Sequence, residues 1–174
     1  ENQIDTYTTN VIGSVNILEA ASKCTKIPKL VMVTSDKCYK NNEWVFGYRE
    51  NDLLGGDDPY SASKAAAELL INSFFKTFNS KYQKKLYLAT ARAGNVIGGG
   101  DWAENRIVPD CIKAWSNGEK VFIRSPNSTR PWQHVLEPLG GYLFLMEKLF
   151  KENQEIIGES FNFGPSLTDE ITVI

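Results

Sequence analysis

The stretch Lys29-Leu30-Val31-Met32-Val33-Thr34-Ser35-Asp36-Lys37 decides the fold. Its first six residues form a short, mostly apolar run, which is typical of a buried strand in a parallel sheet. Ser35, Asp36 and Lys37 follow at the carboxyl end of that strand, where open α/β sheets bind their ligands. The stretch therefore predicts an α/β fold with a polar site at the end of a parallel strand.

A helix that carries a Tyr-x-x-x-Lys pair is predicted after this strand, from about residue 60 to residue 79. Tyr60 and Lys64 lie at i and i+4 in a run of strong helix formers, so both side chains share one helical face. An ammonium beside a phenol favours the phenolate, which makes Tyr60 a candidate general base or acid toward a hydroxyl group. The pair alone is a weak signal, because the chain contains 7 tyrosines and the spacing recurs by chance.

A second strand pattern, from Leu86 to Arg92, completes a strand–helix–strand order. Such an order favours a right-handed parallel crossover, which brings the polar end of the first strand and Tyr60 to the same edge of the sheet. Residues 39–59 lie between strand and helix, are rich in Gly, Asp and Pro, and exceed the usual connection length. We interpret this segment as a functional loop over the site.

Weaker patterns predict the remaining elements and one loop. We expect helices at about Ile4 to Ser22, Ile107 to Ser116 and Glu137 to Phe150, an edge strand at Val121-Phe122-Ile123, and a last strand and turn from Ser160 to Pro165. Residues 98–103 formally fit the dinucleotide fingerprint G-x-G-x-x-G/A, but Asp101 and Trp102 interrupt it and Pro109 follows soon after. We interpret residues 98–103 as a loop on the substrate side.

The composition excludes several classes of function. The chain of 174 residues has an ordinary apolar content and a net charge of −2. These values do not favour nucleic-acid binding, membrane association or intrinsic disorder. No apolar run approaches the length of about 18 residues that a transmembrane helix needs. The 3 cysteines lack metal-ligand spacing and there is 1 histidine, so we expect reduced thiols and no metal site.

In their order along the chain, these motifs resemble the extended short-chain dehydrogenase/reductases. The resemblance rests on residues 9–16, Ser35-Asp36-Lys37, Tyr60-x-x-x-Lys64 and residues 92–98. Within that family the chain resembles the nucleotide-sugar 4,6-dehydratases, and residues 35–39, 98–102 and 129–135 point to the branch that acts on CDP-glucose. The resemblance implies a Rossmann-like doubly wound parallel sheet, bound NAD, a nucleotide-sugar substrate, and a homodimer formed through the helices near 4–22 and 60–79.

The resemblance also implies catalytic roles. Tyr60, assisted by Lys64, would deprotonate the C4 hydroxyl of the sugar while NAD accepts the hydride, and Ser35 would hydrogen-bond the C4 oxygen. Asp36 would protonate the departing C6 hydroxyl as general acid. Lys37 would remove the C5 proton, for which it must be neutral, or would instead stabilise the enolate as a cation.

Further residues are implied in binding or support. The cofactor-binding set is Tyr60, Lys64 and Ala93; the substrate-binding set is Asn95, Arg106, Arg124 and Arg130. Arg suits these positions because its guanidinium binds diphosphate oxygens in pairs. Trp132 could stack on a base or fill the core, and core filling is the commoner fate of a Trp. Asn10 could be a helix N-cap, but the resemblance implies a supporting role beside the site.

The resemblance finally implies that the chain is a fragment that lacks the N-terminal Gly-rich βαβ unit. Residues 1–94 would be the C-terminal half of the NAD-binding domain, and residues 95–174 mostly a substrate-binding region interleaved with the last Rossmann strands. We expect the isolated chain to be inactive, and the whole protein to act in the bacterial cytoplasm in polysaccharide biosynthesis. Two alternatives stay open: a nucleotide-sugar 4-epimerase, which lacks an acid–base pair like Asp36-Lys37, and a non-catalytic binding fragment.

Overall fold

The structure is a computed structural model, and it describes residues 2–82, 85–103, 105–166 and 171–172. The strands are β1 (Lys29–Val33), β2 (Tyr87–Ala93), β3 (Val96–Ile97), β4 (Thr129–Arg130), β5 (Gln133–His134), β6 (Ser160–Phe163) and β7 (Ile171–Thr172). The helices are α1 (Gln3–Tyr7), α2 (Gly13–Lys23), α3 (Pro59–Lys81), α4 (Ile107–Ser116) and α5 (Leu136–Phe150). A π-helical turn, Thr8–Ile12, joins α1 to α2, and a 3₁₀ turn, Asp36–Cys38, follows β1.

The central sheet has the strand order β1–β2–β6, and both pairings are parallel. Its middle strand is buried from Leu88 to Arg92, as a parallel strand covered on both faces should be. Two smaller pairs stand apart from it, with β3 parallel to β5 and β4 antiparallel to β7. The parallel sheet between helices confirms the predicted α/β fold.

Helix α3 covers one face of the sheet. Asp58 caps its N-terminus by accepting a hydrogen bond from the backbone N–H of Ser61, and Pro59 occupies the first helical position, where its missing N–H costs nothing. The apolar face of α3 then packs with α2 and β2 in one core cluster, whose buried members are Leu18, Ile71, Phe78, Leu86 and Leu88. This packing fixes the start of α3 at the carboxyl edge of the sheet.

Helix α5 covers the opposite face. Side chains alternate along a strand, so Ala89 and Ala91 of β2 point to this face, where they pack with Leu145 and Leu149 of α5. Gly141 allows the helix to approach β6 closely, because a Cβ there would lie 2.1 Å from a ring carbon of Phe163. The sheet is thus sandwiched between two helical layers.

The predicted elements agree with the structure, with two exceptions. The helix expected at about residues 4–22 is interrupted by the π-helical turn, which inserts one extra residue into the winding. The edge strand expected at Val121-Phe122-Ile123 is wrong, because these residues have an irregular backbone and Phe122 is 88% exposed. Strand propensity reflects packing against a neighbouring strand, and apolar β-formers alone do not supply one. Among the described residues, no helix is both long and apolar enough to cross a membrane.

Candidate active site

An open cavity of about 650 Å³ lies at the carboxyl ends of β1 and β2. The residues that line it from the predicted catalytic set are Ser35, Asp36, Lys37 and Tyr60. The predicted crossover therefore brings the end of the first strand and the start of α3 to one edge of the sheet, as expected. Asn95, Arg106, Arg124 and Arg130 of the predicted substrate-binding set line the same cavity.

The turn after β1 holds an acid and a base in contact. Lys37 Nζ donates to Asp36 Oδ2 at 3.1 Å, and Ser35 Oγ donates to Asp36 Oδ1 at 3.0 Å. Ser35 Oγ also accepts from the backbone N–H of Lys37 at 3.2 Å, which starts the 3₁₀ turn. The Lys37 and Asp36 side chains are 43% and 29% exposed, so the pair is accessible from the cavity. Both side chains can therefore contact a ligand in the cavity.

Tyr60 and Lys64 occupy successive turns of α3 at the cavity edge. The Tyr60 side chain faces the cavity and is 41% exposed, whereas Lys64 is half-buried behind it and lies outside the set of lining residues. The Lys64 Nζ is 5.8 Å from the centroid of the Tyr60 ring. Burial lowers the pKa of Lys64, and the carboxylate of Glu68 opposes that shift in part. The two side chains thus lie on the same face of α3, as the spacing predicted.

The π-helical turn supports the turn of α3 that begins with Tyr60. Asn10 lies inside it and donates from Nδ2 to the Oγ of Ser63 at 2.9 Å. Ser63 is fully buried, and its Oγ donates to the backbone carbonyl of Tyr60 at 2.7 Å. Asn10 is therefore not an N-cap, and its contact agrees with a supporting role.

Three of the lining residues suit the cavity to an anionic ligand. They are Arg106, Arg124 and Arg130, each of which carries a guanidinium group. The Oδ1 of Asn95 is buried and has no hydrogen-bond partner among the described residues, which is costly unless a ligand supplies one. The three cations suit the phosphate groups of a ligand, and the Asn95 oxygen, which can only accept, suits a hydroxyl group that donates to it.

Some placements differ from the sequence-based interpretation. Ala93 ends β2 beside the cavity but is not among its lining residues. Trp132 lines the cavity and is only partly buried, so the expectation that it fills the core is wrong. Gly99 and Gly100 form a turn that does not open a helix, which agrees with the interpretation of a substrate-side loop.

Several residues near the site were missed by the sequence analysis. Asp101, Asn105 and Asp110 also line the cavity, and the signal that could have found them is their place on or just after the Gly-rich loop. A buried ion pair of Glu68 and Arg92 lies at the same sheet edge. In the sequence, each of these charged residues stands within a pattern that predicts burial. Glu68 lies two helical turns beyond Tyr60, and Arg92 lies in the second strand.

Comparison with protein families and curated proteins gives concordant matches. The sequence profile described as the NAD dependent epimerase/dehydratase family matches residues 1–164. The chain is 51% identical over 177 aligned residues to the CDP-glucose 4,6-dehydratase of Salmonella typhimurium strain LT2, covering 99% of this chain and 49% of that protein. It is 29% identical to the dTDP-D-glucose 4,6-dehydratase of Dictyostelium discoideum, covering 89% of this chain and 36% of that protein. The chain thus spans half or less of the length of these relatives.

Solved structures share the fold. The dTDP-glucose 4,6-dehydratase of Bacillus anthracis, solved in complex with NAD, matches with a TM-score of 0.77 and 26% identity over 95% of this chain and 49% of that one. The UDP-glucuronic acid 4-epimerase of Bacillus cereus, solved with UDP-glucuronic acid and NAD, matches with a TM-score of 0.78 over 95% of this chain and 48% of that one. At 19% identity, the second match supports the fold alone.

Proposed function

Since the chain belongs to the NAD dependent epimerase/dehydratase family, we propose that the protein containing it converts CDP-glucose to CDP-4-keto-6-deoxyglucose and water. The observation that carries this proposal is the contact of Asp36 and Lys37 on the cavity wall that also presents Tyr60. A 4-epimerase needs an acid or base at C4 only, whereas loss of the C6 hydroxyl needs a further acid and base. The 51% identity to a CDP-glucose 4,6-dehydratase supports the choice of sugar nucleotide.

The cofactor of this family is NAD, and the described residues fit its reactive end. Tyr60 is presented to the cavity with Lys64 behind it, and Ala93 ends the neighbouring strand. When bound, NAD would supply the hydride acceptor for C4 of the sugar and, once reduced, the hydride donor for C6. The sequence contains no Gly-rich loop at the start of a long helix, which such folds use to hold the cofactor phosphates. We therefore expect this chain alone to bind NAD poorly and to be inactive.

Oxidation at C4 would be assisted by residues of α3 and β1. Tyr60 would accept the proton of the C4 hydroxyl, and the ammonium of Lys64 would stabilise the phenolate that performs this step. Ser35 would donate a hydrogen bond to the C4 oxygen. The carbonyl formed at C4 then acidifies the proton at C5, which prepares the elimination.

The Asp36–Lys37 pair would carry out the elimination. The elimination would require the neutral form of this pair, a carboxylic acid in contact with an amine. In that form Lys37 would accept the C5 proton while Asp36 donates its proton to the departing C6 hydroxyl. The products are water, an enone and the ion pair, so atoms and charge balance. The alternative, in which Lys37 stays an ammonium and stabilises the enolate, requires another C5 base.

The three arginines that line the cavity would hold the diphosphate of the substrate. Arg106, Arg124 and Arg130 can donate paired hydrogen bonds to phosphate oxygens, and the Oδ1 of Asn95 would accept a hydrogen bond from a hydroxyl group of the same substrate. Residues 1–94 would then mainly serve the cofactor and residues 95–174 mainly the substrate. This division explains why one cavity is lined from both halves of the chain.

We also propose that the protein is a homodimer that uses the outer faces of α1, α2 and α3. Three apolar side chains on these helices, Ile4, Ile17 and Leu69, are 75%, 54% and 61% exposed. Helices α1 and α2 both pack against α3, so these exposed side chains lie on neighbouring helices, where a partner subunit could cover them. Location in the bacterial cytoplasm remains part of the proposal, in line with the bacterial origin of the CDP-glucose relative.

Mass spectrometry on the full-length protein tests the function. We expect CDP-glucose to lose one water without net formation of NADH, and the product formed in D₂O to carry deuterium at C5. The Asp36→Asn variant should lose this activity, because its amide cannot donate an acidic proton. Isomerisation without loss of mass would show a 4-epimerase instead, and absence of any change with every nucleotide sugar would favour the non-catalytic alternative.

A further inference from the structure

A buried ion pair lies directly behind the catalytic face of α3. Arg92 Nη2 donates to Glu68 Oε2 at 2.7 Å, and the two side chains are 4% and 2% exposed. Burying two charges is expensive, and the cost is recovered only when geometry and additional hydrogen bonds are good. The proposed mechanism does not use either residue, so the pair needs its own explanation.

The Glu68 carboxylate connects three elements of the fold. Its Oε2 also accepts from Thr90 Oγ1 of β2 at 3.1 Å, and its Oε1 accepts from Thr34 Oγ1. Thr34 directly precedes Ser35, the first residue of the catalytic turn. The carboxylate therefore ties α3 to the carboxyl ends of both β1 and β2, between which the cavity opens.

Arg92 extends the same network to the segment 39–58. Its Nη1 donates to the hydroxyl of Tyr39 at 2.7 Å and to the carbonyl of Glu50 at 2.9 Å. Tyr39 in turn donates to Asn162 Oδ1 of β6 at 2.7 Å. The connection that leads from the catalytic turn to α3 is thus anchored on Arg92, while Arg92 itself is anchored on Glu68.

Glu68 also lies one helical turn beyond Lys64, on the face shared with Tyr60. Its negative charge acts on Lys64 and opposes the effect of burial on the pKa of that lysine. The other charged groups on the elements packed against α3 are Asp5, Glu19, Lys23, Lys29, Asp36, Lys37 and Arg92. On α3 itself, Tyr60 and Glu68 lie on the same helical face as Lys64, and Glu68 is the group whose charge acts on Lys64.

We propose that Glu68 is a positioning residue for the Tyr60–Lys64 pair. Through Thr34, Thr90 and Arg92 it fixes the first turns of α3, which carry Tyr60 and Lys64, against the two strand ends, and its carboxylate places a negative charge one helical turn from Lys64. The inference rests on the proposed function for its activity readout, but the state of Lys64 can be measured without turnover.

Three variants of the full-length protein separate this role from simple neutralisation of Arg92. In Glu68→Gln the buried guanidinium keeps a partner but loses the counter-charge, and in E68Q/R92M both charges are absent. Glu68→Asp keeps the charge with a shorter reach. We expect E68Q to unfold at a lower temperature and E68Q/R92M to regain much of that loss, because removing both members of a buried pair is far milder than removing one.

The pH–rate profile gives the readout that a merely structural role would not move. A lysine without its counter-charge deprotonates at lower pH, so the basic limb of kcat should shift to lower pH in E68Q and also in the double variant. Misplacement of the turn should lower kcat by roughly 10- to 100-fold with KM little changed. E68D should keep the basic limb of the wild-type pH–rate profile but have a lower kcat. A double variant whose stability and pH profile both return to the wild type would overturn the proposal.

Competitive acetylation of lysines, read by peptide mass spectrometry, keeps this test independent of the reaction. Lys64 should become reactive at lower pH in E68Q than in the wild type, whereas Lys37, which pairs with Asp36, serves as the internal control and should not change. Unchanged reactivity of Lys64 would overturn the positioning role even if the protein is an active dehydratase. A shifted Lys64 in a protein without dehydratase activity would instead leave the inference standing and refute the proposed function.

Discussion

Two ion pairs lie at the carboxyl edge of the central sheet, one buried and one exposed to the cavity. Arg92 and Glu68 are 4% and 2% exposed and share further hydrogen bonds with Thr34, Thr90 and Tyr39. Lys37 and Asp36 are 43% and 29% exposed and face the cavity. A buried pair with many partners is fixed in geometry, whereas an exposed pair adds little stability and is accessible to a ligand in the cavity. The first pair is suited to holding the site and the second to its chemistry.

Arg92→Met gives the largest expected effect on stability. It leaves Glu68 buried without its cation, so the free energy of unfolding should fall by about 3–5 kcal/mol. Urea unfolding of the full-length protein, followed by tryptophan fluorescence, measures the change. Lys37→Met is the matched control, because it removes one member of the exposed pair and should cost no more than about 1 kcal/mol. Equal losses in both variants would erase the distinction between the two regions.

Asp36→Asn tests the other side of the comparison. If Asp36 is the acid for the C6 hydroxyl, the rate of water loss from CDP-glucose should fall by roughly 10²- to 10⁴-fold, the usual contribution of a general acid. The free energy of unfolding should change by less than about 0.5 kcal/mol, as for most surface substitutions. Asp57→Asn, on an exposed position outside the cavity lining, is the control for charge alone. A stable Asp36→Asn variant with undiminished turnover would remove Asp36 from the mechanism.

Asp58→Ala should have a smaller effect at the start of α3. Asp58 caps the helix by accepting from the Oγ and the backbone N–H of Ser61 at 2.5 and 3.0 Å, and loss of such a cap costs about 1 kcal/mol. These hydrogen bonds hold the pKa of Asp58 below its ordinary value. The cap therefore stabilises the fold above the unfolded-state pKa of about 3.9, and this contribution is lost as the pH falls through the lowered folded-state pKa.

Urea unfolding of wild type and Asp58→Ala at a series of pH values checks both statements. The difference in unfolding free energy should be full at neutral pH and should shrink in acid, because protonated Asp58 accepts hydrogen bonds poorly. Asp58→Asn keeps an acceptor oxygen and should lose less than Asp58→Ala at neutral pH. A difference that does not vary with pH would mean that the capping carboxylate is not what stabilises this end of α3.

Local sequence patterns were sufficient for most of the fold and for the location of the site. The strand at Lys29 and the helix at Ile107 follow from apolar runs and periodicity, and the structure confirms α4 with the predicted bounds. The placement of Ser35 and Tyr60 at one cavity followed from one topological rule, the parallel crossover. These features were predictable because each depends on few residues that are near in sequence.

Features that depend on packing between distant segments were not predictable in this way. The Glu68–Arg92 pair joins residues of α3 and β2 whose facing sides are fixed by the register of the helix on the sheet. The strand expected at residues 121–123 failed because a strand requires a partner, which a local pattern does not contain. The core position expected for Trp132 was wrong because a large apolar side chain suits a cavity lining as well as a core, and residue type alone does not distinguish them.

Lys37 and Cys38 are neighbours in sequence but belong to the accessible and the buried region, respectively. The smallest expected effect concerns chemical modification of the Cys38 thiol. Cys38 follows Lys37 directly, yet it is fully buried, and burial raises the pKa of its thiol to about 12 against the opposing charge of Arg92. The reactive species is the thiolate, so Cys38 should remain unmodified by iodoacetamide at pH 8, while the exposed Cys24 reacts. Peptide mass spectrometry of the native protein measures both sites at once. Modification of Cys38 as fast as Cys24 would show that the segment after Lys37 opens readily, and the contrast between a buried, fixed region and an accessible one would then fail where the two regions meet.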